Sequence, residues 1–400
     1  MLIRTARRFA VPFAVALAFA APAVGQGVSK TPPVGDNFEL VIEQGVDILL
    51  RMQESLAGSD VLAEWPYEGV YRPGGEIPIG YRVGGTAISA WSLMETPLYG
   101  AREDVREAVR RGYEFVLAGL GEELMESGFK GGYDVRGWGH TYALTFLLRM
   151  RAMELVPRGE SKRVDEAITW LVETLQDTEI AETGGWNYAR RKGADESSAA
   201  SPFMTAPTLL ALYEARRQGA EVDPDVVERA LDVLENARTE DGTIPYTTAG
   251  GRDEMPGATG RTPITEVALM LAGRSDVGRI RHALDGFLEH WEWLEKRRQQ
   301  PDTHEPPYGI APYYFFYAHT YAALAIEFLP EAEHGEYRAR FLARLFQVRE
   351  DSGGWNDRVF ERSENYGTAM SLLAILQPKL PRPAAWESAE VREASAKKAK

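Results

Sequence analysis

The sequence predicts an all-α fold, an (α/α)6 toroid: a barrel of six helix-pair repeats in one domain. Three observations carry this. A Thr recurs six times in one local setting, in Gly85-Thr86-Ala87, His140-Thr141-Tyr142, Met204-Thr205-Ala206, Ile264-Thr265-Glu266, His319-Thr320-Tyr321 and Gly367-Thr368-Ala369. Each opens an apolar helical run, and the intervals of 55, 64, 60, 55 and 48 residues are the length of one supersecondary unit. Upstream of each run lies an amphipathic, charged partner helix, and the two kinds of connection differ in length. In a two-layer ring the inner helices are buried on nearly all sides and the outer ones on one face, so the Thr-led helices belong inside.

Taken in order, residues 1–25 have the layout of a secretory signal peptide. Arg4, Arg7 and Arg8 precede the apolar run Phe9 to Ala23, and small residues follow before Gln26. That run is shorter than the ~20 residues needed to span a bilayer, so cleavage and a secreted or periplasmic location are expected. Residues 26–36 read as a flexible lead-in and 37–377 as the toroid. Outer helices are expected at Phe38 to Gln53, Asp104 to Leu120, Lys162 to Leu175, Pro224 to Ala237, Val277 to Lys296 and Glu331 to Phe346. Inner-to-outer links are tight, marked by Pro97, Gly219 or Pro330. Outer-to-inner links are long and Gly-rich. All six should share one face with the N-termini of the inner helices, and a site is expected there. The tail, residues 378–400, is Pro-rich and then Ala/Lys/Glu-rich; disorder is expected, with Trp386 as a docking point.

Loss of the leader leaves 42 Lys+Arg against 59 Asp+Glu, a net charge of −17, which argues against nucleic acid or anionic membrane partners. The absence of Cys excludes disulfides, a thiolate nucleophile and thiolate metal ligands. The body of the chain has no apolar stretch of about 20 residues, so no membrane span is expected after cleavage. Neither a metal nor another cofactor is expected.

The long links share a Gly-rich turn ending in an aromatic. It reads Gly131-Gly132-Tyr133, Gly184-Gly185-Trp186 and Gly353-Gly354-Trp355, with related forms at Trp65, Tyr246 and Tyr308. A Gln sits near the preceding outer-helix end at Gln53, Gln176 and Gln347. Gly supplies the positive φ that ends a helix; the Gln amide reaches backbone groups of the next helix end, and the aromatic packs on it. Gln176 with Gly184-Gly185-Trp186, and Gln347 with Gly353-Gly354-Trp355, resemble the Gln–Trp motifs of squalene and hopene cyclases and the related protein prenyltransferase β subunits. The resemblance covers about residues 37–377 and implies the toroid. The Asp-x-Asp-Asp acid run of the cyclases is missing. Of the Asp, Cys and His that hold zinc in the prenyltransferases, only a His-Thr stretch is similar, His319-Thr320-Tyr321-Ala322-Ala323-Leu324, with no Cys and no Asp beside Thr265.

Candidate catalytic residues are His140 and His319 at inner-helix starts, Asp195 in the third long link, and Glu266. Candidate ligand contacts are Trp138, Tyr142, Tyr314, Tyr317, Tyr321 and Tyr366, a concave apolar wall at the loop face. Arg136 and Arg261 are placed to meet a carboxylate or sulfate. The two His fall in opposite repeats, about 16–20 Å apart for helix axes spaced ~8–10 Å, too far to share a metal ion. Lying on an open face, His319 is expected to tolerate alanine. The expected function is binding of an apolar or extended ligand in a central cavity. The alternatives are a carbohydrate-active hydrolase or lyase, using His140, His319, Tyr142, Glu266 and Asp195, and a protein-binding scaffold. Intact-mass measurement of the exported protein should give a chain starting near Gln26; a chain retaining residues 1–25 in the cytosol would overturn the leader.

Overall fold

The computed structural model describes residues 28–35, 37–130, 135–180, 183–188, 198–251 and 254–387. The leader 1–25, the turn Gly131-Gly132-Tyr133, the candidate Asp195 and the tail beyond 387 lie outside the described residues.

Repeat one pairs outer α1 (Glu39–Met52) with inner α2 (Ile79–Glu95), and its long link holds the antiparallel strands β1 (Glu54–Ser55) and β2 (Ala63–Glu64). After the short α3 (Pro97–Ala101), outer α4 (Glu103–Gly119) precedes inner α5 (Arg136–Ala152). Outer α6 (Ser161–Asp177) and inner α7 (Pro202–Arg217) follow. Outer α8 (Pro224–Ala237) leads through the short α9 (Met255–Ala258) to inner α10 (Thr262–Leu271). Outer α11 (Val277–Arg297) with inner α12 (Tyr314–Ile326), then outer α13 (Glu331–Gln347) with inner α14 (Glu364–Leu376), complete six pairs. Successive inner helices pack on one another from α2 to α14, and α14 returns to α2. Helix α1 lies against both α14 and α4, so the first and last repeats close the ring.

The two layers differ in burial as the patterning requires. Every residue of α12 is buried. Helix α8 buries only Val226, Val227, Ala230, Leu231 and Leu234, a single stripe at helical spacing. No helix among the described residues is long and apolar enough to cross a membrane.

All six repeat Thr side chains are buried in the inner layer. They do not start their helices, however. Helix α2 begins at Ile79, well before Thr86, and α7 at Pro202, before Thr205. The Thr lies inside the helix because its hydroxyl receives the long link. Thr86 Oγ1 accepts the backbone N–H of Trp65 at 2.9 Å, Thr205 Oγ1 that of Trp186 at 3.0 Å, and Thr368 Oγ1 that of Trp355 at 3.1 Å. Each indole then donates Nε1–H to a carbonyl of the outer helix: Leu49 at 2.7 Å, Leu175 at 2.7 Å and Leu345 at 2.9 Å. Glycine is needed where the link passes this closely. A Cβ on Gly85 would stand 2.5 Å from the Trp65 carbonyl, and one on Gly185 would stand 2.8 Å from Thr205 Oγ1. In the other repeats the hydroxyl turns elsewhere. Thr141 bonds Thr208 across α5 and α7 at 2.8 Å, and Thr320 donates to the Met370 carbonyl at 2.9 Å, while Thr265 Oγ1 has no hydrogen-bond partner.

Two of the three Gln staple neighbours. Gln53 Nε2 donates to the Ala108 carbonyl at 2.7 Å, and Gln176 Oε1 accepts the N–H of Asp223, the cap of α8, at 2.6 Å. Gln347 is exposed. Residues 378–387 of the tail depart from the expected disorder. Residues up to Glu387 cross the end of the barrel where the inner helices terminate, and Trp386 docks there, its N–H donating to the Leu271 carbonyl at 2.8 Å. Pro-rich composition removed helix and strand from this segment but left it an apolar anchor.

Thr205→Val should cost about 1–3 kcal/mol in urea unfolding, because it strands the buried Trp186 N–H. Thr265→Val should be neutral or stabilising by up to about 1 kcal/mol, since no bond is lost and an unpaired buried hydroxyl is removed. Equal costs at the two positions would show that the hydroxyl bond to the link is not what the repeat selects.

Candidate functional site

The aromatic residues expected to wall a pocket at the loop face instead fill it. Tyr366 packs on Tyr67 with ring centroids 4.5 Å apart, Tyr67 on Trp138 at 5.9 Å, and Trp138 on Tyr142 at 5.1 Å. Tyr142 and Tyr321 share a hydroxyl bond of 3.0 Å, Tyr321 meets Tyr317 at 4.7 Å, and Tyr317 stacks on Phe203 at 3.8 Å. These side chains are buried, so they form a plug along the barrel axis. Burial pushes the phenols of Tyr142, Tyr317 and Tyr366 well above their ordinary range, which keeps them neutral. One bond in the plug repairs a helix. Pro207 lies inside α7 and has no N–H for the Phe203 carbonyl one turn back; Tyr317 Oη donates to that carbonyl at 2.8 Å instead. Tyr314 is buried against Phe203 at 5.4 Å.

The charged candidates are likewise turned into the walls. Arg136 donates to the carbonyls of Glu126 at 2.8 Å and Phe129 at 2.9 Å, and Arg261 to those of Ile244 and Gly257, each at 2.7 Å. Both guanidiniums are buried and tie the long links to the helix starts rather than facing an incoming anion. Glu266 holds Arg238 through two bonds of 2.8 and 2.9 Å. His140 Nε2 is 2.8 Å from the Met125 carbonyl. His319 Nδ1–H donates to the Phe315 carbonyl at 2.7 Å, and its Nε2 accepts from Trp291 Nε1–H at 2.9 Å. Both rings are fully buried, and burial lowers each pKa to about 4. His319 is therefore a packed wall residue, and the expected tolerance of alanine, which assumed an open face, does not hold. Among the described residues no group of three or more His, Cys, Asp or Glu is placed to hold a metal ion.

The sequence passed over Asp357, which follows the Trp355 turn. Its Oδ2 accepts from Tyr67 Oη at 3.1 Å beside the plug, and burial pushes its carboxyl up to about 7.

A cavity of about 460 Å³ opens at the opposite end of the barrel, where the inner helices terminate. Trp91 of α2, Pro207 and Leu210 of α7, and Leu324 of α12 supply its apolar walls, and Tyr321, from the inner side of the plug, also lines it. The strap Leu380 to Ala384 lies across it. Glu95 fixes one wall: it accepts from Arg149 at 2.7 and 3.0 Å and from Trp91 Nε1–H at 2.9 Å, holding the indole against the cavity. Glu214 on the facing helix pairs with Arg217. Of the residues expected to contact a ligand, Tyr321 is the one that lines this cavity. The others lie toward the N-terminal ends of the inner helices, whereas the sequence signal of this cavity is at the C-terminal ends, in the polar and aromatic set Trp91, Glu95 and Arg149.

The same architecture occurs in solved structures of low sequence identity. A variant of the type II terpene cyclase MstE from Scytonema is 16% identical, with a TM-score of 0.50 over 86% of this chain and 98% of that one. An unsaturated glucuronyl hydrolase from Bacillus sp. GL1 is 13% identical, with a TM-score of 0.56 over 88% and 99%. An inactive variant of an α-1,6-mannanase from Salegentibacter, solved with α-1,6-mannotriose, is 12% identical, with a TM-score of 0.54 over 85% and 98%. No family model matches the sequence, and no curated protein matches it. At these identities the likeness is one of fold. The chain is an α/α toroid, consistent with the terpenoid-cyclase-like toroids and shared equally with the hydrolase and the mannanase.

The buried His residues predict acid sensitivity. A base whose pKa is lowered on folding binds its proton only in the unfolded chain between about pH 6.5 and 4, so stability falls as pH drops through that window. Asp357 works in the opposite sense: with its pKa raised on folding, its share is complete below about pH 4 and lost as pH rises towards 7. Comparison with His319→Gln isolates the histidine. The stability gap between wild type and variant should narrow by about 2 kcal/mol from pH 7 to pH 5 in urea titrations. A gap independent of pH would mean that His319 accepts its proton in the folded state.

Proposed function

We propose that this protein is an exported α/α toroid that binds an apolar ligand in the cavity at the C-terminal ends of its inner helices. The observation that carries this is the cavity itself: about 460 Å³, walled by Trp91, Pro207, Leu210 and Leu324. That volume lies within the ~300–1,000 Å³ of ordinary small-molecule pockets, which are likewise mostly apolar with a few fixed polar groups. The polar groups here are already committed. Glu95 is held by Arg149 and Trp91, and Glu214 by Arg217, so the lining offers orientation and shape rather than a free acid and base. Binding without acid catalysis also fits the lack of the cyclase acid run and of the zinc set. The carbohydrate reading wants an open cleft with paired, available carboxylates; the loop face is plugged by aromatics, and both cavity carboxylates are tied to arginine.

The test uses a neutral apolar fluorophore, N-phenyl-1-naphthylamine, titrated into the purified protein. We expect saturable fluorescence enhancement with one site per chain. Leu210→Glu, which puts a charge into the wall, should weaken the affinity at least tenfold while the melting temperature shifts little. No saturable binding, or binding unchanged in Leu210→Glu, would remove the cavity as the ligand site.

A further inference from the structure

We infer that the C-terminal strap, Leu380 to Trp386, is the gate of this cavity and that Trp386 is its latch. This rests on the apolar-ligand reading above. The barrel axis is blocked on the loop side by the aromatic plug, so a ligand reaches the cavity from the other end, and the strap crosses that end. The strap has neither helix nor strand structure. Pro381 and Pro383 have no N–H to give the barrel, so the middle of the strap is held by van der Waals contact and by Arg382, which donates to the Glu327 carbonyl and lies over the Phe328 ring.

The hold is concentrated at the far end. Trp386 stacks on Tyr213 with centroids 5.5 Å apart, lies under the Arg216 guanidinium at 3.7 Å, and donates its indole N–H to Glu228 Oε1 at 3.0 Å and its backbone N–H to the Leu271 carbonyl at 2.8 Å. A ring buried in a slot and bonded at both of its donors is the arrangement that concentrates binding energy in one residue. The segment on the cavity side of it, from Leu380 to Ala384, carries few bonds and forms part of the cavity wall. Release of one side chain therefore frees the whole roof. The hinge lies at Gln377 to Leu380, where a single 3-10 turn ends in the bond from Leu380 N–H to the Gln377 carbonyl at 3.1 Å.

The full-length chain is compared with Trp386→Ala and Trp386→Phe. Amide hydrogen exchange should show the strap amide at position 386, bonded to the Leu271 carbonyl in the wild type, exchanging at least tenfold faster in Trp386→Ala, with α12 unchanged. Stopped-flow association of N-phenyl-1-naphthylamine should be at least tenfold faster in Trp386→Ala, with Trp386→Phe, which keeps the stacking, between the two. If the probe binds wild type and Trp386→Ala at one rate, the ligand reading stands and the gate is wrong. If it binds neither protein, the ligand reading falls and the gate with it. Exchange rising equally in the strap and in α12 would show that Trp386 supports the whole barrel and would also overturn a separate latch.

Discussion

The bond from a link tryptophan to an inner-helix threonine is the constraint on which the architecture depends. A helix pair cannot bury both of its faces alone, and a ring of such pairs needs a fixed angle and register between layers. The Trp–Thr bond supplies both. In repeats one, three and six the backbone N–H of Trp65, Trp186 or Trp355 meets a threonine hydroxyl on the inner helix, and the indole of the same residue meets a carbonyl on the outer helix. One residue thus joins three elements, with both of its donors satisfied out of reach of water. Glycine at the contact is then a steric requirement rather than a preference: before the threonine at Gly85 and Gly367, and in the link at Gly185 in repeat three.

With the layers fixed in this way, the inner helices direct large rings at the axis near the loop face. Trp138, Tyr142, Tyr317 and Tyr366, joined by Tyr67 from the first long link, are all buried against one another, so they pack as a solid rather than line a basin. Open volume is left at the other end, between the C-terminal ends of the inner helices, where a short strap lies across it. The rigid end and the accessible end of the barrel are thus separated by the choice of side chains along the same six helices.

Much of the fold was legible because its signals are periodic. The Thr recurrence and the alternation of charged and apolar helices gave the layers, and the outer-helix boundaries fall within about two residues of those read from Phe38, Lys162 or Glu331. The role of the threonine was less legible, because a hydroxyl inside a helix and one at its cap have the same local sequence. The candidate site was read only in part. Sequence shows that Tyr142, Tyr321 and Tyr366 sit at one level of the ring, but whether rings at one level enclose space or fill it depends on the radius of the barrel, which no pattern encodes. Arg136 and Arg261 near helix starts look like anion ligands in one dimension; in three they are surrounded by loop carbonyls that satisfy them first. The strap was hidden by composition, since a Pro-rich segment reads as disorder unless the seat of its one tryptophan is known.

Contact of α1 with α14 makes the ring a closed circuit, and this bears on how the chain is made. In an open solenoid each repeat can stack on the one before it as it leaves the ribosome. Here the first helix packs on α14 of the last repeat as well as on α4, so its face around Gly45, which abuts Leu372, stays uncovered until residues 364–376 exist. Throughout synthesis the nascent chain therefore presents a sticky seam at each end, which either waits for its own far end or is shielded by a chaperone.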